Sequence, residues 1–238
     1  MRFQIAETRR HRATRSLAIA VVLAGMPQAA VAQVTVLLPT EGDLQATLAL
    51  PGDVQRGKDA YAECQSCHRT DASGRANYSI PRLSGQHASV LIKQLMDIRS
   101  DRRVNPDMRD YMLDSDLTLQ NFADMAAYLQ SLPVAGNIGQ GPPELVPRGQ
   151  TLYASDCAGC HGEHAEGRAE LFYPMLASQH YKYLLHELDL ILTGGRGNSN
   201  PAMPPILQNY STDDKQAVAA YLAQLPPPRK SVEPEPPR

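Results

Sequence analysis

Residues 64–68 read Cys-Gln-Ser-Cys-His, and residues 157–161 read Cys-Ala-Gly-Cys-His. These two stretches lie 93 residues apart and contain all four cysteines of the 238-residue chain. No cysteine is therefore left for a separate disulfide framework or for a lone nucleophile. The fold and the chemistry must both be consistent with two equivalent sites.

The 93-residue offset continues beyond the two cysteine motifs. Matching segments keep this offset to within two residues: 81–87 with 174–180, 91–95 with 184–188, 105–108 with 200–203, and 127–129 with 220–222. Two copies are too few for a solenoid, and a unit of about ninety residues can have its own core, above all around a large apolar cofactor. The pattern therefore predicts one duplicated unit.

The duplication divides the chain into segments. They are a signal peptide at 1–32, an N-terminal leader of uncertain structure at 33–50, a first domain at 51–132, a Pro/Gly-rich linker at 133–147, a second domain at 148–225, and a Pro-rich tail at 226–238. The tail is predicted to be disordered, because prolines and charges provide little apolar surface to bury.

The first thirty-two residues have the parts of a secretory signal peptide. Five arginines flank or precede an apolar run that begins at Leu17, and Ala30-Val31-Ala32 offers a small-x-small cleavage site. Gly25 and Pro27 make the run too short and broken for a membrane span, and an uncleaved amphipathic anchor is the alternative. Cleavage would remove five Arg and one Glu from 23 basic and 25 acidic residues, leaving 18 and 24. This acidity disfavours nucleic-acid binding, and export predicts a periplasmic protein without a membrane span in the mature chain.

Apolar residues recur at helical spacing in both repeats, and no segment shows strand alternation. The predicted helices form equivalent pairs: 54–63 with 147–156, 85–98 with 178–192, and 118–130 with 212–224. Gly194-Gly195 is a stop signal after the second helix of the second repeat. The predicted fold class is therefore all-α, with two tandem domains, each a few helices wrapped round a cofactor.

Cys-x-x-Cys-His is the attachment sequence of c-type haem. Cysteines three residues apart share one face of a helical turn, so both thiols can reach the vinyl groups on one porphyrin edge. The candidate attachment residues are Cys64, Cys67, Cys157 and Cys160, with His68 and His161 as iron ligands and two covalent haem c groups as cofactors. One zinc site made from all four cysteines would leave both histidines unexplained. A thioredoxin-type redox pair would need a strand-then-helix unit.

A haem iron that is bound by one histidine needs a sixth ligand or an open site. Met108 and Met203 each follow Asn-Pro-x at equivalent positions, and a thioether can serve as that ligand. Because proline biases its predecessor towards extended backbone, both methionines are predicted to lie in a loop and not in a helix. Met112 is an alternative to Met108. The repeat-equivalent pair His87 and His180 offers bis-histidine ligation as a further alternative.

Two more equivalent pairs are candidates for supporting the cofactor. Pro81 and Pro174 each lie 13 residues after the proposed histidine ligand, where a proline carbonyl could accept a hydrogen bond from the imidazole. A simple turn is the alternative for the prolines. Arg103 and Arg196 could pair with haem propionates, and solvated arginines are the alternative.

Taken in this order, the duplicated motifs resemble cytochrome c4 and its relatives, among them the dihaem subunit of flavocytochrome c sulfide dehydrogenase. The resemblance covers roughly residues 52–225. It implies two class I cytochrome c domains with His/Met-ligated haems, facing each other about a pseudo-twofold axis, and electron transfer in the periplasm. One departure is Arg69, which stands where the second repeat has Gly162 and is expected to alter the local turn. The other is Arg109-Asp110, where the second repeat has Pro204-Pro205.

The resemblance implies an electron carrier and not an enzyme. Its expected partners are redox proteins, namely an upstream cytochrome complex or dehydrogenase and a downstream oxidase, with docking to a membrane complex and without nucleic acid. The alternative is a haem-carrying subunit of a periplasmic dehydrogenase whose partner holds a flavin or quinone cofactor, since the chain has no Gly-rich phosphate loop of its own. A dihaem peroxidase-type enzyme needs an open iron, and the matched methionines argue against it.

Overall fold

The computed structural model describes residues 40–77, 80–134 and 139–228. The predicted signal peptide, the start of the leader, part of the linker and the tail from residue 229 lie outside these residues. Within the described ranges the chain forms α-helices and short 3₁₀ turns, and its only extended pairings are two isolated β-bridges. The predicted all-α fold class is confirmed. In the same ranges, no helix combines the length and the apolar character needed to cross a membrane.

The described residues of the leader and the first repeat form six α-helices. They are α1 (Glu41–Ala49), α2 (Val54–Tyr61), α3 (Gln65–His68), α4 (Ala88–Arg99), α5 (Pro106–Asp114) and α6 (Leu119–Ser131). A 3₁₀ turn at Ala62–Cys64 joins α2 to α3, so the predicted helix over 54–63 ends in a tighter turn. Buried side chains from α4, α5 and α6, with Tyr61 from α2, form one apolar cluster.

Five helices form the second repeat. They are α7 (Val146–Asp156), α8 (Ala158–His161), α9 (Tyr181–Thr193), α10 (Met203–Leu207) and α11 (Thr212–Gln224). Short 3₁₀ turns at Pro143–Leu145 and Ala169–Leu171 connect them. Gly194 ends α9 with a φ of 76°, which confirms the predicted stop signal. A second apolar cluster, which includes Tyr153 and Val218, forms the core of this repeat.

Each repeat is held together where the helix that precedes its cysteine motif crosses its last helix. In the first repeat, a Cβ added to Gly57 of α2 would lie 2.0 Å from the carbonyl oxygen of Asp124 in α6. In the second repeat, a Cβ added to Gly149 of α7 would lie 2.0 Å from the carbonyl oxygen of Ala217 in α11. Only glycine permits helix backbones to approach this closely. The two crossings are therefore equivalent in geometry.

Residues 41–49 of the leader form helix α1, which packs against the first repeat. Thr40 and Asp43 form a capping box that starts the helix. Leu44 is 3% exposed and Thr47 is fully buried, and α1 packs against α4 and α6. The leader therefore adds a helix to the first repeat.

The second helix of each repeat begins later than predicted. It starts at Ala88 in α4 and at Tyr181 in α9, and not near residues 85 and 178. His87 and His180, which precede these helices, have an extended backbone with a ψ of 131° in both cases. The glutamine and the histidine before each helix instead contact the opposite repeat, as described below.

Both methionines lie in helices, so the prediction that they lie in a loop is wrong, although Pro201 and Ala202 form a turn before α10. Asn105 is extended, as its position before a proline requires, and its side chain accepts a hydrogen bond from the backbone N–H of Met108 at 3.2 Å. Pro106 then begins α5, where its missing N–H has no intrahelical partner to lose. Met203 begins α10, which contains Pro204 in its first turn. Pro106 thus starts a helix, whereas its counterpart Pro201 lies in the turn before one.

Candidate functional site

The first candidate site lies at the end of α3. His68 is the last residue of this helix and is 6% exposed. Its Nδ1 lies 3.2 Å from the carbonyl oxygen of Pro81. Because a carbonyl can only accept, Nδ1 carries the hydrogen and Nε2 keeps the lone pair that a metal ion would bind. Burial lowers the pKa of His68 and outweighs the opposing effect of this hydrogen bond, which favours the neutral imidazole.

The second candidate site has the same construction. His161 ends α8 and is 7% exposed, and its Nδ1 lies 3.4 Å from the carbonyl oxygen of Pro174. Burial again lowers the pKa of the imidazole. Both prolines therefore lie beside the histidines that the sequence paired with them. That these contacts orient an iron ligand stays a prediction.

The turn after each histidine is the same in both repeats. Arg69 has a φ of 67° and a ψ of 164°, and Gly162 has a φ of 86° and a ψ of 159°. The expectation that Arg69 alters this turn is wrong, because Arg69 adopts the backbone conformation of the glycine. In each case a buried tyrosine fixes the turn: Tyr61 donates to the carbonyl oxygen of Arg69 at 2.8 Å, and Tyr153 to that of Gly162 at 2.6 Å.

None of the four cysteines is paired in a disulfide bond. Burial raises the pKa of Cys64 and of Cys157 to about 11, which keeps both thiols neutral at physiological pH. Buried neutral sulfur suits a thioether and does not suit a zinc thiolate or a reactive redox cysteine. Among the described residues, which include all four cysteines, no three His, Cys, Asp or Glu side chains form a cluster that could hold a metal ion. The four cysteines are thus not brought together in the way that a single zinc site would require.

The three candidate methionines have different surroundings. Met108 and Met112 lie one turn apart on α5 and so project from the same side of that helix. Met112 is 3% exposed and belongs to the core of the first repeat, whereas Met108 is partly buried and packs against the edge of that core, as Cys64 does. Met203 is partly buried at the start of α10. The structure gives Met112 a packing role, and Met108 and Met203 stay the predicted ligands.

Arg103 and Arg196 meet each other between the repeats. Both pair with Glu187 of α9, Arg103 at 2.8 Å, and both donate to the side-chain oxygen of Gln94 in α4. Although burial raises the pKa of Glu187, Arg196 and Arg103 bring it below its ordinary value, so the carboxylate stays charged. The two guanidinium groups are thus placed in an interfacial ion-pair cluster. Their contact with haem propionates stays a prediction.

Side chains that join the two repeats have partners that the sequence did not predict. His87 Nε2 donates to the carbonyl oxygen of Glu166, and His180 Nε2 donates to that of Ser73, both at 2.7 Å. These rings thus bond to backbone, and an iron ligand role has no support from their placement. Arg82, Gln86 and Gln179 also bind backbone across the interface. The repeated Gln-His pair was visible in the sequence, but its partners were not.

The site residues fit a covalent haem in each repeat. Each repeat presents two cysteines three residues apart, a buried imidazole whose Nε2 is available, and a methionine on a following helix. Together with the all-α fold, these features define a c-type cytochrome with two haem centres.

Comparison with known proteins gives the same result. The family model of cytochrome c matches residues 54–133 and 146–226. Cytochrome c4 of Azotobacter vinelandii is 33% identical over 196 residues, covering 73% of this chain and 90% of that protein. A thiosulfate dehydrogenase electron acceptor of Stutzerimonas stutzeri (strain A1501) is 31% identical over 206 residues, covering 79% of this chain and 94% of that protein. The crystal structure of reduced recombinant cytochrome c4 from Pseudomonas stutzeri superposes with a TM-score of 0.66 and 28% identity, covering 73% of this chain and 99% of that one.

The chain therefore belongs to the cytochrome c family and, within it, to the dihaem cytochromes c4. Its cofactors are two covalently bound haem c groups, and its function is electron transfer.

Proposed function

We propose that the chain is a periplasmic carrier that passes single electrons between redox proteins, with one haem in each of the domains 51–132 and 148–225. The observation that carries this proposal is the matched pair of buried imidazoles, each in the same tautomer and each held by a proline carbonyl. A rigidly held nitrogen at both centres would suit electron exchange, in which the iron ligands must change little. The bound haems would supply the one-electron redox chemistry.

The proposed ligands follow from the residues at each site. His68 and Met108 would bind the first iron, and His161 and Met203 the second. Cys64 with Cys67, and Cys157 with Cys160, would form the thioether bonds. A methionine ligand raises the potential of a c-type haem, which suits exchange with high-potential respiratory partners such as an upstream cytochrome complex and a downstream oxidase.

A second candidate function is that of a haem-carrying subunit that accepts electrons from a periplasmic dehydrogenase. The similarity to the thiosulfate dehydrogenase electron acceptor supports this candidate. In that case the partner would hold the substrate, and this chain would still act only through its two haems. Co-purification of the holoprotein with a stoichiometric larger subunit, retained at physiological salt, favours this candidate; a chain that purifies alone favours the free carrier.

The ligand assignment can be tested at the first site, where two methionines compete. In Met108→His, we expect the oxidised protein to lose about half of its weak near-infrared methionine-to-iron band, and the first haem to fall in potential, because histidine stabilises ferric iron relative to methionine. Met112→Leu is the matched control. It should keep the band and lower the free energy of unfolding by less than about 1.5 kcal/mol, because this volume-conserving change lies in the core. An unchanged first haem in Met108→His would show that this methionine is not the ligand.

The location can be tested separately. The signal-peptide interpretation predicts that protein recovered from the periplasm begins at Gln33, directly after the Ala30-Val31-Ala32 site. Intact-mass measurement of the holoprotein determines this end and also counts the haems. A mass that retains residues 1–32 would support the uncleaved anchor instead.

A further inference from the structure

A pair of glutamines at the interface connects the iron-binding region of each repeat to the other repeat. The side-chain oxygen of Gln179 accepts a hydrogen bond from the backbone N–H of Arg82 at 2.9 Å, and its Nε2 donates to the carbonyl oxygen of Arg82 at 3.0 Å. In the opposite direction, Gln86 makes the same two bonds with the backbone of Met175, at 2.9 Å and 3.0 Å. Gln86 and Gln179 are 7% and 5% exposed, so both pairs of bonds are shielded from water.

The peptide groups held in this way are the ones that contact the histidines. The peptide unit between Pro81 and Arg82 accepts from His68 Nδ1 through its carbonyl and donates to Gln179 through its N–H. The unit between Pro174 and Met175 is used likewise by His161 and Gln86. Each imidazole is therefore linked, through a single peptide group, to a glutamine from the other repeat.

The placement of both glutamine amides is well defined. Each side-chain oxygen also accepts from the N–H of the next residue in its own chain, from His87 at 3.1 Å and from His180 at 3.0 Å. Two backbone N–H donors point at the same side-chain atom, so that atom must be the amide oxygen, because an NH₂ group cannot accept from them. The glutamines are thus anchored before the helices α4 and α9 begin.

We propose that Gln86 and Gln179 are positioning residues that tune the haem of the opposite repeat, Gln179 that of the first and Gln86 that of the second. This inference rests on the proposed function, since it takes His68 and His161 as iron ligands. Hydrogen bonds in a chain polarise one another, so an N–H bonded to glutamine makes the carbonyl of the same peptide a stronger acceptor. A stronger acceptor at Nδ1 makes the imidazole a more basic ligand, which stabilises the oxidised iron. Each glutamine therefore lowers the potential of the haem across the interface.

The test is a potentiometric titration of the holoprotein in which each haem is followed by its own shifted ring-methyl signals in proton NMR. In Gln179→Leu we expect the equilibrium constant for oxidation of the first haem to fall about threefold, with a smaller change at the second. Gln86→Leu should give the reverse pattern. The haem in the same repeat as the substitution thus serves as an internal control, and either variant tests the proposal if the other fails to fold.

A matched control shows whether the glutamine substitutions act only by weakening the contact between the repeats. Ser89 in α4 donates to the carbonyl oxygen of Ala169 at 2.7 Å, a bond between the repeats that involves neither proline peptide. Ser89→Ala should leave both potentials unchanged. Three results would overturn the proposal: no shift of either potential in the glutamine variants, a shift mainly at the haem of the substituted repeat, or an equal shift in Ser89→Ala. Each of them would leave the carrier function intact. If wild-type protein lacked the methionine-to-iron band or two reversible one-electron steps, the proposed function itself would fail.

Discussion

The two repeats are closely alike in backbone and much less alike in the charged side chains that join their helices. In both, a tyrosine hydroxyl holds the turn after the histidine, and a glycine lets two helices cross at the same distance. The ion pair at that crossing differs. Arg56 pairs with Asp124, which is 1% exposed, whereas Arg148 pairs with Asp214 at the first turn of α11. The two repeats thus share these backbone features, whereas the ion pairs that support the helix crossings have diverged.

If the crossings are truly equivalent, the same substitution should have the same large effect in both repeats. Gly57→Ala and Gly149→Ala each place a Cβ against a helix carbonyl, which cannot move aside as a flexible side chain can. We expect each to lower the free energy of unfolding by about 3 kcal/mol. Thermal unfolding followed by circular dichroism measures this. Gly159→Ala is the control, because its Cβ would meet no atom within 4 Å; an effect confined to one repeat would show that the crossings differ.

The two ion pairs should contribute differently to the free energy of unfolding as the pH changes. The Asp124 carboxylate accepts from Arg56, from the backbone N–H of Asp53 and from Gln120, and Arg56 above all lowers its pKa to about 2. Because the folded-state pKa is depressed, the stabilisation is complete above the unfolded value near 4 and is lost as the pH falls towards 2. Asp124→Asn should cost roughly 1–2 kcal/mol at pH 7 and almost nothing at pH 2.

Asp214→Asn is the matched change in the second repeat. Its pKa is also lowered to about 2, first by Ser211 and then by Arg148, but its side chain is more exposed than that of Asp124. Solvent weakens such a pair, so we expect a smaller loss over the same range of pH. Chemical denaturation of both variants at pH 7, 4 and 2 measures the difference. Equal losses would mean that burial of Asp124 adds nothing.

The smallest expected effect is at the turn where the repeats differ by a side chain alone. Arg69 has a positive φ with an extended ψ, a conformation that is nearly exclusive to glycine. Arg69→Gly should therefore raise the free energy of unfolding by about 1 kcal/mol. Gly162→Ala should lower it, since its Cβ would also lie 2.2 Å from the Glu166 side chain. A loss of stability in Arg69→Gly would show that the arginine side chain makes a contribution larger than the strain.

The fold class and the two centres could be predicted because they depend on local patterns. The cysteine motif determines one helical turn, and the 93-residue register shows that this turn occurs twice. The helix at Met108 was missed because a proline is read as a break, although Asn105 caps the helix and Pro106 is suited to its first position. The partners of Gln86 and Gln179 could not be predicted, because they depend on how two folded repeats dock. A repeated Gln-His pair is equally consistent with packing inside each repeat.

The hydrogen bonds across the interface also bear on the order in which the protein is made. Arg82 in the first repeat binds a side chain that lies 97 positions later, and the carbonyl of Ser73 is bound by one that lies 107 positions later. A chain synthesised from its N-terminus therefore completes its first cysteine motif before those partners have been made. The first repeat is thus synthesised without the groups that will hold Arg82 and Ser73, whereas the second repeat is synthesised when its partners in the first already exist.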